Sequence, residues 1–208
     1  MSEKLAEVRR ILHRYLVEVV ESYDLCPWAR AARTGDEIGV EVLMGEPTEE
    51  AWAEASAALL SRREVRVAMV VAPETAMSPA ELRAMRDHVA TKLPSAGIAH
   101  FHPEAALDLT SPPRLVPFLR RSPDPLLQLV PLALLEGVRG ARPAIDRAEQ
   151  MQMLSGQIAA PRGDVADRIA ATNHVRVSAE TAAVVARLDE IARDRRESYA
   201  RVGIRSSR

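Results

Sequence analysis

Lysine is almost absent: Lys4 and Lys92 are the only two, and every other basic side chain apart from five histidines is arginine. Together with the abundant alanine, this reads first as a base-composition effect on codons, so a single arginine is weak evidence of a site. Cysteine is scarcer still. With Cys26 alone, no disulfide closes within the chain, and the thiol is a buried apolar group, a ligand or a nucleophile. There is no Gly-rich phosphate loop, no GxSxG elbow, no HExxH and no CxxC, which excludes the easily recognised enzyme classes. No apolar run reaches the roughly 18 residues of a membrane span, and the N-terminus lacks a signal pattern, so a cytoplasmic protein with no membrane partner is expected. A formal net charge of -1 offers no electrostatic footprint for nucleic acid.

What is present is ordinary globular material: 208 residues, 47% hydrophobic and 27% charged, enough for one sizeable core. Over residues 5–23, Leu5, Val8, Leu12, Tyr15, Leu16, Val19 and Tyr23 recur every three or four positions and predict an amphipathic helix. It should stop at Asp24-Leu25-Cys26-Pro27, because proline disfavours helical geometry in the residue before it. Strands are expected over 38–44, 65–72 and 98–102. Between them lie a helix over 48–61 capped by Thr48 and one over 78–93 opened by Ser78-Pro79. Strands alternating with helices imply an α/β fold: a short, mainly parallel sheet of about three or more strands flanked by helices.

Seven of the fourteen prolines fall between Pro103 and Pro131, yet Leu107, Leu109, Leu115, Val116, Phe118 and Leu119 make that segment too apolar for disorder, so an ordered loop is expected. A buried helix is predicted over 125–138, apolar almost all round. A break at 137–143, a short helix at 146–156, a further break at 161–163 and a helix at 164–172 follow. Residues 178–201 read as a long helix with Val184, Val185, Leu188 and Ile191 on one side. The domain expectation is an α/β core over 1–140 and a helical C-terminal extension over 141–208, packed on the core or pairing with a second copy as a homodimer.

Three segments carry chemistry. Leu25-Cys26-Pro27-Trp28-Ala29 follows the first helix, Phe101-His102-Pro103 ends a strand, and Arg121-Ser122-Pro123-Asp124-Pro125 precedes the next element. In this order and spacing, over roughly residues 5 to 140, they resemble the bacterial family catalogued as domain of unknown function 1415. The resemblance implies roles for Cys26, His102 and Arg121 without naming a reaction, and it does not extend to the last helix.

The residues themselves leave alternatives open. Cys26 is either a small buried residue closing the first helix or a thiolate; a helix C-terminus raises a thiol pKa, so activation would have to come from His102 or Arg121. His100 and His102 alternate about Phe101 and share one side of the strand, a spacing able to hold a transition metal, zinc or iron, with Cys26 or Glu104 as third ligand. Cys-Pro is also a haem-ligand dipeptide, with a histidine opposite as second axial ligand. Arg120, Arg121 and Ser122 stand before the expected buried helix, whose free amides would make an anion site. Asp108 and Arg114 read as structural, and His13, His88 and His174 as ordinary surface histidines. The first functional expectation is an enzyme acting on a small anionic metabolite at a Cys26/His102/Arg121 pocket at the C-terminal edge of the sheet. The others are a metal- or haem-binding protein and a non-catalytic binding or assembly module.

Overall fold

The structure, a computed structural model, describes residues 2–135 and 165–205. Its mixed α/β architecture places a four-stranded sheet between two helical layers. Helix α1 (Glu3–Tyr15) runs on into a π-helical segment, Leu16–Glu21, and α2 (Ala29–Thr34) leads to strand β1 (Ile38–Val42). Then come α3 (Glu49–Leu60), β2 (Val67–Val71), α4 (Pro79–Lys92) and β3 (Ala96–Phe101). The Pro-rich stretch holds a single turn, α5 (Pro112–Leu115), and a 3-10 turn, Phe118–Arg120, before β4 (Leu126–Pro131); the last helix, α6, covers Val165–Val202.

The starts expected for α3 and α4 have their physical cause on view. The Thr48 hydroxyl accepts from the amide of Ala51 at 3.3 Å, and Ser78 and Glu81 form a reciprocal capping box with Pro79 in the first turn. β1, β2 and β3 run in one direction, as strands joined through helices should. The sheet order, however, is β1-β2-β4-β3. β4 inserts between β2 and β3 antiparallel to both, so only β1 and β2 pair in parallel and "mainly parallel" is corrected to one parallel and two antiparallel pairs.

The same strand corrects the first half of the helix predicted over 125–138: Leu126–Pro131 is strand, residues 132–135 are helical, and 136–138 lie outside the described residues. Leu126, Leu127 and Leu129 put apolar side chains on both sides because both faces of a central strand are covered, and a short run of that kind, broken only by Gln128, carries no period that separates strand from buried helix. Its alternation becomes visible only in the packing. Leu126 joins Met69, Val71 and Val42 against α1 and α6, while Leu127 and Leu129 join Ala68 and Val70 against Trp52, Leu82 and Val89 of α3 and α4. Burying leucines this completely contributes about 1.5–3 kcal/mol each. The breaks and the short helix expected over 137–143, 146–156 and 161–163 lie outside the described residues.

α6 is part of the core. Val177, Val184, Leu188, Ile191 and Tyr199 are all at most 8% exposed and pack with Val8, Ile11, Leu12 and Tyr15 of α1. The stripe that suggested a homodimer contact therefore faces the chain's own core. A non-helical Glu180 (φ -118°, ψ 20°) kinks α6 into two segments. Across the seam with α1, Asp194 accepts from Arg10 at 2.7 and 2.8 Å and from Arg14 at 2.6 Å.

Candidate functional site

The strand ends Val42, Val71, Leu126 and Phe101 lie in register, so the loops that follow β1, β2 and β3 and precede β4 gather at one edge of the sheet. The chemistry-bearing residues divide between that edge and the α1 face.

Cys26 belongs to the α1 face. The chain leaves the π-helical segment through Asp24 in a left-handed conformation (φ 48°), and Leu25 donates back to the Val20 carbonyl at 2.8 Å. α6 clamps this turn from outside: Asn173 Nδ2 donates to the Leu25 carbonyl at 2.9 Å, and Arg176 donates to the carbonyls of Tyr23 and Asp24 at 3.1 and 2.8 Å. Arg33 of α2 holds the buried Glu21 carboxylate from the other side. Cys26 thus sits in the turn between the π-helical segment and α2, two residues before the Trp28 cap. Burial pushes its thiol above the ordinary range, while the amides of Trp28 and Ala29 pull the other way. The sequence supplied the first helix end but not the second helix start.

The thiol opens on a cavity of about 390 Å³ between α1, α2, α6 and the sheet, walled by apolar side chains such as Leu12, Met69 and Phe101 and with the half-exposed Trp28 on its rim. Three polar groups on the wall stand out. The Tyr15 hydroxyl is buried without a hydrogen-bond partner, and burial followed by the nearby Cys26 pushes its pKa up. Gln128 projects from central β4. The guanidinium of Arg120, at the end of the 3-10 turn beside β3, has no hydrogen bond or ion pair among the described residues, and desolvation followed by the charge of Arg86 lowers its pKa. A guanidinium held in apolar surroundings with no anion is costly and invites one.

His102 and Arg121 lie elsewhere. Beyond the end of β3, the His102 ring is 6% exposed; Nε2 donates to the Met77 carbonyl at 2.9 Å and Nδ1 accepts from the Glu104 amide at 3.1 Å. Both bonds are made together only by the tautomer with its proton on Nε2, and both ring nitrogens are then engaged. Arg121 Nε donates to the Pro103 carbonyl at 2.9 Å, with the guanidinium 6.0 Å from the Phe118 ring. Ser122 donates to the Asp124 carbonyl at 2.5 Å. The helix start that Arg120, Arg121 and Ser122 were expected to serve is absent, because β4 stands in its place.

This edge instead holds a buried ionic lock. Asp124, 1% exposed, accepts from Arg195 Nε at 2.6 Å and from the Tyr199 hydroxyl at 2.6 Å. Arg195 also donates to the Pro73 carbonyl at 2.9 Å and stacks 4.6 Å from the Tyr199 ring. Neither Arg195 nor Tyr199 is among the residues singled out in the sequence. A signal was available: Val184, Leu188, Ile191, Arg195 and Tyr199 continue one stripe at helical spacing, so a cation at 195 had to meet a buried anion.

The structure therefore brings Cys26 and Arg120 to one cavity and His102 and Arg121 to a separate edge. Ala99 and Phe101 face the cavity with Cys26, which puts His100 on the opposite side of β3, where Ile98 packs against the α3 and α4 layer. Among the described residues no three histidine, cysteine, aspartate or glutamate side chains gather to hold a metal ion, so His102, His100 and Cys26 do not converge. Nor do Cys26 and His102 face one another as an axial haem pair would. Among the described residues no helix is long and apolar enough to cross a membrane.

A family model described as "Protein of unknown function (DUF1415)" matches residues 7–151. No curated protein and no solved structure matches the chain. The match takes in Cys26, the cavity-lining Arg120 and Asp124; Arg195 and Tyr199 of α6 lie beyond it.

Proposed function

The chain belongs to the domain of unknown function 1415 family, which carries no assigned activity, and we propose from the site itself that it binds a small amphipathic anion in the Cys26 cavity. The apolar walls take the hydrocarbon part, Arg120 pairs with the anionic end, and Tyr15 and Gln128 offer hydrogen bonds along the way. One observation carries this reading: Arg120 is a desolvated cation in a mainly apolar cavity and its guanidinium lacks a counter-charge among the described residues. A carboxylate there exchanges an unpaired buried charge for a charge-assisted pair.

Decanoate is a suitable probe. Titration by calorimetry, with fluorescence of the rim residue Trp28 as a second signal, should give saturable binding; Trp52 is fully buried in the other core cluster and should stay silent. Arg120→Leu should weaken it by about 10- to 100-fold, the equivalent of a hydrogen bond to a charged group. Absence of saturable binding, or equal affinity in the variant, would sink the proposal.

A second reading, enzymatic use of Cys26, is favoured by the amides of Trp28 and Ala29 that face the thiol. The two separate on Cys26→Ser: decanoate affinity survives in either, but reaction with a thioester such as an acyl-thiol probe at alkaline pH is lost only if Cys26 is the nucleophile.

A further inference from the structure

The floor of the Cys26 cavity is one face of the sheet, and the strand register fixes what stands on it. Gln128 of β4 lies between Met69 of β2 and Ala99 of β3, and Leu126 precedes it by two on the same face; all four line the cavity. Gln128 is the only polar residue of β4, half-buried on a central strand among apolar neighbours. Its carboxamide makes no hydrogen bond among the described residues. Arg120 reaches the same space from the end of the edge strand β3, where the His102 amide donates to the Arg120 carbonyl at 3.0 Å.

Water satisfies an amide that faces an empty cavity. When an apolar chain displaces that water, the amide loses its partners unless the chain itself brings replacements. A carboxamide presents a carbonyl acceptor and N–H donors side by side, so the group that answers both at once is another amide. An ester or ketone answers only the donors, and a methylene answers neither. Arg120 calls for a carboxylate in the same space, which puts the two groups on one molecule: an amide within the chain and a carboxylate at its end.

We infer that the cavity's ligand is an N-acyl amino acid, with its acyl chain against the apolar walls, its amide on Gln128 and its carboxylate on Arg120. Gln128 is then the residue that selects an acylated amino acid over a plain fatty acid. This rests on the cavity reading for the tail and the carboxylate, and it adds the amide.

The test titrates the full chain by calorimetry with decanoate, with N-decanoylglycine and with the ester O-decanoylglycolate, in which an oxygen replaces the amide N–H. N-decanoylglycine should bind about tenfold more tightly than the ester, the equivalent of one hydrogen bond whose loss leaves a buried partner unmet. Gln128→Leu, close in volume and apolar like its neighbours in β4, should bring the amide and the ester to equal affinity. Arg120→Leu should weaken both and keep their ratio. In the wild type, the side-chain amide resonances of Gln128 should move further with N-decanoylglycine than with the ester, a readout that does not depend on any variant folding. Decanoate binding with equal affinities for amide and ester, a preference that survives Gln128→Leu, or Gln128 resonances that N-decanoylglycine leaves unmoved would each overturn the amide assignment while the cavity reading stands. If none of these ligands binds, the cavity reading itself fails and the assignment falls with it.

Discussion

Replacing Arg195 by methionine should be the most damaging single change at the strand-end edge. The substitution keeps an unbranched apolar stem but removes the guanidinium that faces Asp124 at 2.6 Å. Asp124 is 1% exposed, so its carboxylate then remains buried with the Tyr199 hydroxyl as its side-chain partner, and the Pro73 carbonyl loses its donor. Removing one member of a buried pair costs about 3–5 kcal/mol, mostly as the charge left uncompensated. For a chain of this length each kcal/mol lowers Tm by about 2–4 °C, so the expected fall is roughly 6–20 °C. Tyr199→Phe deletes one hydrogen bond to a charged group and should cost less, about 1.5–3 kcal/mol. Urea unfolding followed by circular dichroism gives both values. The decisive comparison is Asp124→Leu combined with Arg195→Met, which removes both charges: it should be more stable than Arg195→Met alone, because the penalty belongs to the orphaned carboxylate. A loss below about 1 kcal/mol in Arg195→Met, or a double variant no better than the single one, would refute a buried, energetically coupled pair.

The α1–α6 seam predicts an acid transition. Hydrogen bonds from Arg10, and then from Arg14, hold the Asp194 carboxyl down to about 2 from its ordinary 3.8, so the folded state favours the ionised form. A depressed carboxyl pKa contributes stability that is complete above 3.8 and is lost as pH falls from there toward about 2. Urea midpoints measured across that interval should drop less steeply in Asp194→Asn than in the wild type, and identical slopes would contradict the assignment. At the cavity, Tyr15→Phe removes a buried hydroxyl that has no partner, so the ligand-free protein should become more stable by about 1 kcal/mol while decanoate affinity falls. A destabilised Tyr15→Phe, measured by the same unfolding curves, would mean that the hydroxyl is satisfied in the ligand-free state.

Local signals carried far along this chain. The caps at Thr48 and Ser78, the proline that ends the first helix region and the β-branched run of β2 are decided by neighbours within a few residues, and each element they predict is present. Residues 125–131 are the instructive failure. Helix and central strand both demand apolar side chains all round, and only the vacancy between β2 and β3, each already committed by its own pattern, selects the strand.

The candidate site divides along the same line. Sequence alone singled out Cys26, His102, Arg120 and Arg121, because proline-bracketed polar groups at element ends are legible without coordinates. Which of them share a space was decided by the sheet. The alternation of β3 sends Phe101 to the cavity face and His100 to the other, so Cys26 meets Arg120 and Tyr15, while His102 closes on the backbone of Met77 and Glu104. The Asp124–Arg195 pair spans 71 residues and depends on α6 returning across the strand ends. The sequence thus determined the kinds of group and the local geometry that presents them. Their partners were set by long-range packing, since side chains distant in the chain become neighbours only when the layers bury their apolar faces together.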